Sequence, residues 1–369
     1  MSYRRNLLAV MLLAVCSSQA PIADVGFKTL VAIPGSSTSI VATEVDVSGE
    51  MIFAGKSSSD QLMAVNFRTG VDYTATAAAT LPSEVVKGIW FVNTIPKRWI
   101  VVTDQYIRAY TILYQMANPS VLQSLNQDTP MFTTPMPYLK TNMLTVYAIV
   151  PPADLVIWIG LSTGGWSKFN VPANQYLTMS TSITTPIDFI RELSTNYMVA
   201  SSKTNINLYA VLKSDHNIYS TLPSDGRKVG GSKGIDADYG TGCKLWELID
   251  TGSGWAVSYF YHPDPLSCSS MTLTVPGNVL QTTSSTSGDI KRLKSADNIM
   301  VILDAKVFIL AGSTLQEISQ NTTFTMGNGI ISNSVSGHVK QDGQNLVFSL
   351  IVDFSGNFKI STLTIATLR

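Results

Sequence analysis

Charge is what this chain has least of. Of 369 residues only 14% are Asp, Glu, Lys or Arg, and the two signs balance at 25 each. Nucleic-acid recognition needs a basic footprint to displace counterions, so that class of partner is excluded. Histidine is scarcer still: His216, His262 and His338 are the whole set, each isolated in a turn-rich segment. That removes the commonest general base and metal ligand as a clustered group. No Gly-x-Ser-x-Gly elbow supports a Ser-His-Asp arrangement. Long helical periodicity is missing, and so is an apolar run long enough for a helical membrane span. The best candidate, residues 146–161, is broken by Pro151, Pro152 and Asp154.

What is present is a β-rich pattern. Hydrophobic residues make up 45% of the chain and the mean hydropathy is +0.19, enough to bury a substantial core. The first twenty residues read as a signal peptide: Arg4 and Arg5 form the basic start, residues 7–15 the apolar stretch, and Ser18-Gln19-Ala20 a small-residue cleavage pattern. The expected division is therefore a signal peptide over 1–20 and one domain over 21–369, secreted or luminal, with no membrane span. Losing Cys16 leaves Cys243 and Cys268. A pair in an oxidising compartment is expected to form a disulfide.

Residues 98–112, RWIVVTDQYIRAYTI, read as two short strands joined by a polar turn, and similar hairpins recur down the chain. Markers in successive hairpins are Phe53, Ile100, Ile157, Met198, Val257, Val301 and Val347, at a mean spacing of 49 residues. A period near fifty with four short strands per unit is the signature of a β-propeller. About 349 residues remain after the signal peptide, which makes seven units. Residues 27–33 begin the first unit as an outer strand. Strands opening later units are placed at 72–81, 122–132, 176–183, 218–222, 273–282 and 317–324. The last unit, ending at 359–366, lacks an outer strand of its own. The expected fold is an all-β, seven-bladed propeller of four-stranded blades, closed by the N-terminal strand.

The strand and Thr-Gly turn QLMAVNFRTG, residues 61–70, resemble the YVTN, WD40-like and quinoprotein-like propeller superfamily. The resemblance implies the fold and carries over no active site. Gly-His to Trp-Asp pairing, YWTD and Asp-box motifs are all missing, and Val71-Asp72-Tyr73 stands where pyrroloquinoline-quinone proteins carry a docking Trp.

Few residues suggest chemistry. Asp236 and Asp238, in IDADYGTG, sit two apart as calcium ligands often do, without the third acid or distal Glu of an EF-hand. An acidic turn is the competing reading, and no cofactor is expected beyond that calcium alternative. SDGRKVGGSKG, residues 224–234, has the glycines of a phosphate cradle in the wrong order and reads as a flexible basic loop. Trp90, Trp99, Trp158, Trp246 and Trp255 fall inside strands and are expected to pack between blades. Trp166, read as lying in the turn 162–168, is a candidate ligand contact together with Asp236 and Asp238. Asn321-Thr322-Thr323 is a glycosylation sequon.

Two functions fit. The first is a secreted binding or structural propeller that presents a loop face to a protein or glycan. The alternative is a secreted carbohydrate-active enzyme, hydrolase or lyase, using loop carboxylates at the central channel. The fold does not choose between them. Two free carboxylates about 5–10 Å apart at the channel mouth would favour the enzyme.

Overall fold

The computed structural model describes residues 22–32, 40–46, 48–56, 62–66, 68–73, 84–92, 96–127, 143–149, 156–170, 175–178, 183–214, 217–277, 279–281, 288–293, 298–303, 306–317, 330–331, 340–342, 345–354 and 357–367. The described chain is all-β apart from one short 3-10 turn. The signal-peptide segment, His216, His338 and the Asn321 sequon lie outside the described residues.

Seven antiparallel sheets follow one another in sequence. The chain opens with β1 (Ile22–Ala32), whose partner comes last. The first sheet is β2 (Ile40–Asp46), β3 (Met51–Lys56) and β4 (Leu62–Asn66). The second is β5 (Val86–Val92), β6 (Arg98–Thr103), β7 (Ile107–Gln115) and β8 (Asn118–Gln127). The third is β9 (Met143–Ile149), β10 (Val156–Leu161), β11 (Trp166–Asn170) and β12 (Gln175–Thr178). The fourth is β13 (Phe189–Glu192), β14 (Tyr197–Ser201), β15 (Leu208–Leu212) and β16 (Ile218–Leu222). The fifth is β17 (Gly234–Tyr239), β18 (Cys243–Asp250), β19 (Trp255–His262), and β20 (Thr272–Val275) with β21 (Val279–Gln281), both paired to β19. The sixth is β22 (Gly288–Leu293), β23 (Asn298–Leu303) and β24 (Lys306–Ala311). The last joins β25 (Ile330–Ile331), β26 (Lys340–Asp342), β27 (Asn345–Phe354) and β28 (Asn357–Thr367) to β1.

The strands expected to open units instead complete the sheet before them. β8, β12, β16 and β20 each pair with the strand just preceding, and Asp72 and Glu317 bridge back to Val65 and Leu310. By the same rule the last sheet takes its outer strand from the chain start: β1 pairs with β28 from Ile22↔Thr367 to Ala32↔Lys359. Six markers fall in the second strand of their sheet, or in β27, which lies between β26 and β28. Val257 does not; it lies in β19, the third strand. Its ladder partner Leu248 in β18 is the equivalent position, and moving the marker there turns intervals of 59 and 44 into 50 and 53.

Period-2 alternation explains how consecutive sheets stack. In β6, Trp99 and Val101 face the first sheet, packing with Phe53 and Ala64, whereas Ile100 and Val102 face the third, with Ile157 and Ile159. A strand buried on both faces needs a continuous apolar run, which is what residues 99–102 supply. Equivalent clusters lie between the third and fourth, fourth and fifth, and fifth and sixth sheets. Each buried large apolar side chain contributes about 1.5–3 kcal/mol. The first strands β2, β5, β9, β13, β17 and β22 lie beside one another in that order, and β27 lies beside β2.

Glycine 277 is required by close approach. A Cβ there would stand 1.8 Å from the Val257 carbonyl oxygen, where the chain passes along the edge of β19 between β20 and β21. Gly277→Ala is expected to destabilise by about 1–3 kcal/mol through overpacking. Equilibrium urea unfolding checks this; an unchanged midpoint would show that this close approach tolerates a side chain.

Candidate functional site

Two ends of the sheets must be distinguished. At the entry end each first strand begins; at the exit end it finishes, and the third strand turns into the fourth. Exit ends of neighbouring sheets touch one another: Lys97 reaches Asp46 at 3.2 Å, and the Ser220 hydroxyl donates to the Ser269 carbonyl at 2.7 Å.

The disulfide lies at the exit end of the fifth sheet. Cys243 and Cys268 are bonded with Cα atoms 5.5 Å apart, inside the usual range. Cys243 is the first residue of β18, the second strand rather than the innermost, and pairs with His262. Only Cys268 sits in a loop extension, the 3-10 turn Cys268–Ser270. The connection from 263 to 267 carries Cys268 back across β19 to the start of β18. Asp264 shapes this loop, accepting from the Leu266 amide at 2.9 Å and the Ser267 hydroxyl at 2.6 Å, which hold its carboxyl below the usual range. Removing the bond by Cys243→Ser with Cys268→Ser is expected to cost about 3.5 kcal/mol on the chain-entropy model, for a sequence separation of 25. Thermal melting with and without reductant checks it; equal melting temperatures would contradict the clamp.

Asp236 and Asp238 do come together with other titratable groups, on the first strands rather than in a turn. Both are in β17, two apart, and so share one side of the strand. Asp236 stands 3.8 Å from Arg191 of β13 and accepts the Arg292 amide of β22 at 2.7 Å. Asp238 is ion-paired to the Arg292 guanidinium. Arg191 also lies over the Tyr147 ring of β9, at 5.7 Å, and burial pushes the Tyr147 hydroxyl up to about 12. Lys291 with Asp289, and Lys213 with Glu192, continue the row. These contacts weigh against the calcium alternative. Guanidinium groups occupy the positions a cation would need, and among the described residues no three His, Cys, Asp or Glu side chains converge. The row ties the fourth, fifth and sixth sheets ionically, and Arg191 over the Tyr147 ring extends it to the third.

The turn placement of Trp166 is corrected. It is 1% exposed and packs with Ile183, Ile187 and Ile190. Gly164 and Gly165, at φ of 102° and 73°, close the turn early, so Trp166 already pairs with Gly160 as the first residue of β11. The other five tryptophans are buried, as their strand settings imply.

A further correction concerns the loop 224–233, which is tied down rather than flexible. Lys228 and Glu247 form an ion pair with both side chains 0% exposed. The Lys228 ammonium also donates to the Ile206 carbonyl at 3.0 Å and to Ser232 at 3.3 Å, and Ser232 donates to the same Glu247 oxygen. Asp225 is held by Arg227 and by Ser258 at 2.7 Å, which keeps its carboxyl well below the usual range. Glu247 goes the other way, because burial pushes it up more strongly than Lys228 pulls it down. The signal available in the sequence was a lone acid inside the apolar strand LWELI, facing inward by alternation.

Two further buried carboxylates follow the same pattern: Glu84 is bound by Arg108 and Thr103, and Asp46 by Lys97, Ser48 and Tyr114. Each is neutralised by a cation and bonded by a hydroxyl. The exit end, by contrast, carries exposed apolar surface. Val71, Leu113, Met116, Tyr219, Tyr239 and Leu266 lie there, six of the nine exposed large hydrophobic side chains among the described residues. Tyr219, 61% exposed, meets Tyr197 edge-on at 5.5 Å.

No protein-family model matches this chain, and no curated protein does. Among solved structures, the crystal structure of the computationally designed Ika8 protein is similar, with a TM-score of 0.54 at 9% identity over 90% of this chain and 99% of that one. At that identity the likeness is one of fold alone.

Proposed function

We propose that the seven sheets are the blades of a β-propeller closed by β1, and that the chain, freed of residues 1–20, is a secreted or luminal binding protein. Its exit end, rigidified by Cys243–Cys268, engages a protein or glycan. The blade reading is supported by seven sequence-consecutive sheets, the first six packed face to face, and by the β1–β28 pairing. The observation that carries the binding reading is the concentration of exposed apolar side chains at that one end. The ion pairing of Asp46, Glu84, Asp225, Asp236, Asp238 and Glu247 weighs against the carbohydrate-active alternative, which needs free acids. Glycosylation of Asn321 belongs to the same secretory reading.

The test is binding of the purified mature chain to a glycan microarray and to a panel of purified extracellular proteins. Wild type is expected to bind one class, and Met116→Ser with Tyr219→Ser and Leu266→Ser to weaken that binding at least tenfold (about 1.4 kcal/mol) with an unchanged melting temperature. Binding that survives the triple substitution would place the partner elsewhere.

A further inference from the structure

The joint between the fourth and fifth sheets holds two buried oxygens that the fold leaves unbonded. Glu247 Oε2 and Ser201 Oγ find no hydrogen-bond partner among the described residues, and both residues are fully buried. Alternation puts both on the same joint. In β14, Tyr197 and Val199 pack against Cys243, Leu245 and Phe260 of the fifth sheet, so Ser201, two residues on, faces that way too. Its ladder partners Phe189 and Leu208 belong to the same cluster. In β18, Cys243 and Leu245 face the fourth sheet, and Glu247 follows them. The two residues also sit at the same level. Ser202, next to Ser201, accepts the Ser232 amide at 2.8 Å, and Ser232 in turn bonds Glu247.

A buried carboxylate oxygen without a donor gives up its hydration with nothing in exchange, so a native fold rarely leaves one. We infer that this joint is a built site for one internal water molecule, which donates to Glu247 Oε2 and bonds the Ser201 hydroxyl. A water needs two to four polar partners, and these two oxygens supply the minimum. A metal or ammonium ion fits worse. Lys228 already cancels Glu247, and Arg227 cancels Asp225, so another cation would bury uncompensated net charge. The water offsets the desolvation that pushes Glu247 up, and so keeps the carboxylate ionised for Lys228.

Crystals of the mature chain, grown with sodium and with rubidium chloride, test this. One ordered water within hydrogen-bond distance of both oxygens, with no anomalous peak in rubidium, is the expected result. An empty site, a direct Ser201–Glu247 hydrogen bond or a rubidium peak overturns it. In solution, oxygen-17 relaxation dispersion should lose one long-lived water in Ser201→Val, whose methyl groups fill the site; equal amplitudes overturn the inference. Should Ser201→Val fail to fold, the two wild-type crystals decide alone.

Discussion

A chain lacking residues 22–32 is expected to lose most of its stability and to associate. β1 makes nine register pairs with β28, at the far end of the sequence. At a net 0.5–1.5 kcal/mol per hydrogen bond, such a ladder is worth on the order of 5–10 kcal/mol. That is comparable with the whole folding free energy of a typical domain, about 5–15 kcal/mol. Deletion also bares the long edge of β28 (Asn357–Thr367), a template for pairing with another chain. Differential scanning calorimetry and light scattering on the chain with and without residues 22–32 check both effects. A truncated protein that stays monomeric and melts within about 2 °C of the full chain, well under the shift such a loss implies, would mean that β1 is dispensable.

Lys228→Met is the second large effect. It strips Glu247 of its counter-charge inside a site with no exposure, and breaking a buried pair in this way costs about 3–5 kcal/mol. Adding Glu247→Leu should restore most of that loss, because an apolar pair of similar volume is often neutral or better. The pH dependence has a definite sign. Glu247 is already raised by burial, and losing Lys228, which lowers it, raises it further. A raised folded pKa means that stability is full below the unfolded value of about 4.3 and falls as pH rises through the folded one. The penalty of Lys228→Met should therefore be largest at neutral and alkaline pH and should shrink on acidification, until Asp225, held low by Arg227 and lost only in stronger acid, begins to protonate. Melting temperatures from pH 4 to 9 check this; a pH-independent penalty, or a double variant as unstable as the single, would show that the pair does not carry the charge balance.

Legibility differed between strand and site. WIVV at 99–102 announces a strand buried on both faces, and the spacing of such runs counts the sheets, because period 2 and apolarity are local properties. The spacing misplaced one marker, Val257, because in the fifth sheet β18 and β19 are equally apolar and the chain carries no local mark of which is second. Trp166 was misread because closing a turn one pair earlier depends on two glycines adopting positive φ, a choice made by the ladder of β10 with β11. SDGRKVGGSKG looks like a solvated loop by composition, yet the partners that bury its lysine are Glu247, about twenty residues away, and the Ile206 carbonyl of another sheet.

By itself, then, the sequence determined an all-β chain of regularly recurring antiparallel hairpins, and the pairing of Cys243 with Cys268. Alternation, turn chemistry and cysteine number act over a few residues or by simple counting, so no long-range information is needed. Only the tertiary structure decided which sheet each fourth strand completes, that Asp236 and Asp238 are tied to arginines on neighbouring strands, and that the loop 224–233 is latched by a buried ion pair. Those outcomes depend on which charges and strand edges meet across the joints between sheets, and burial turns pairs that are worth little in water into strong constraints.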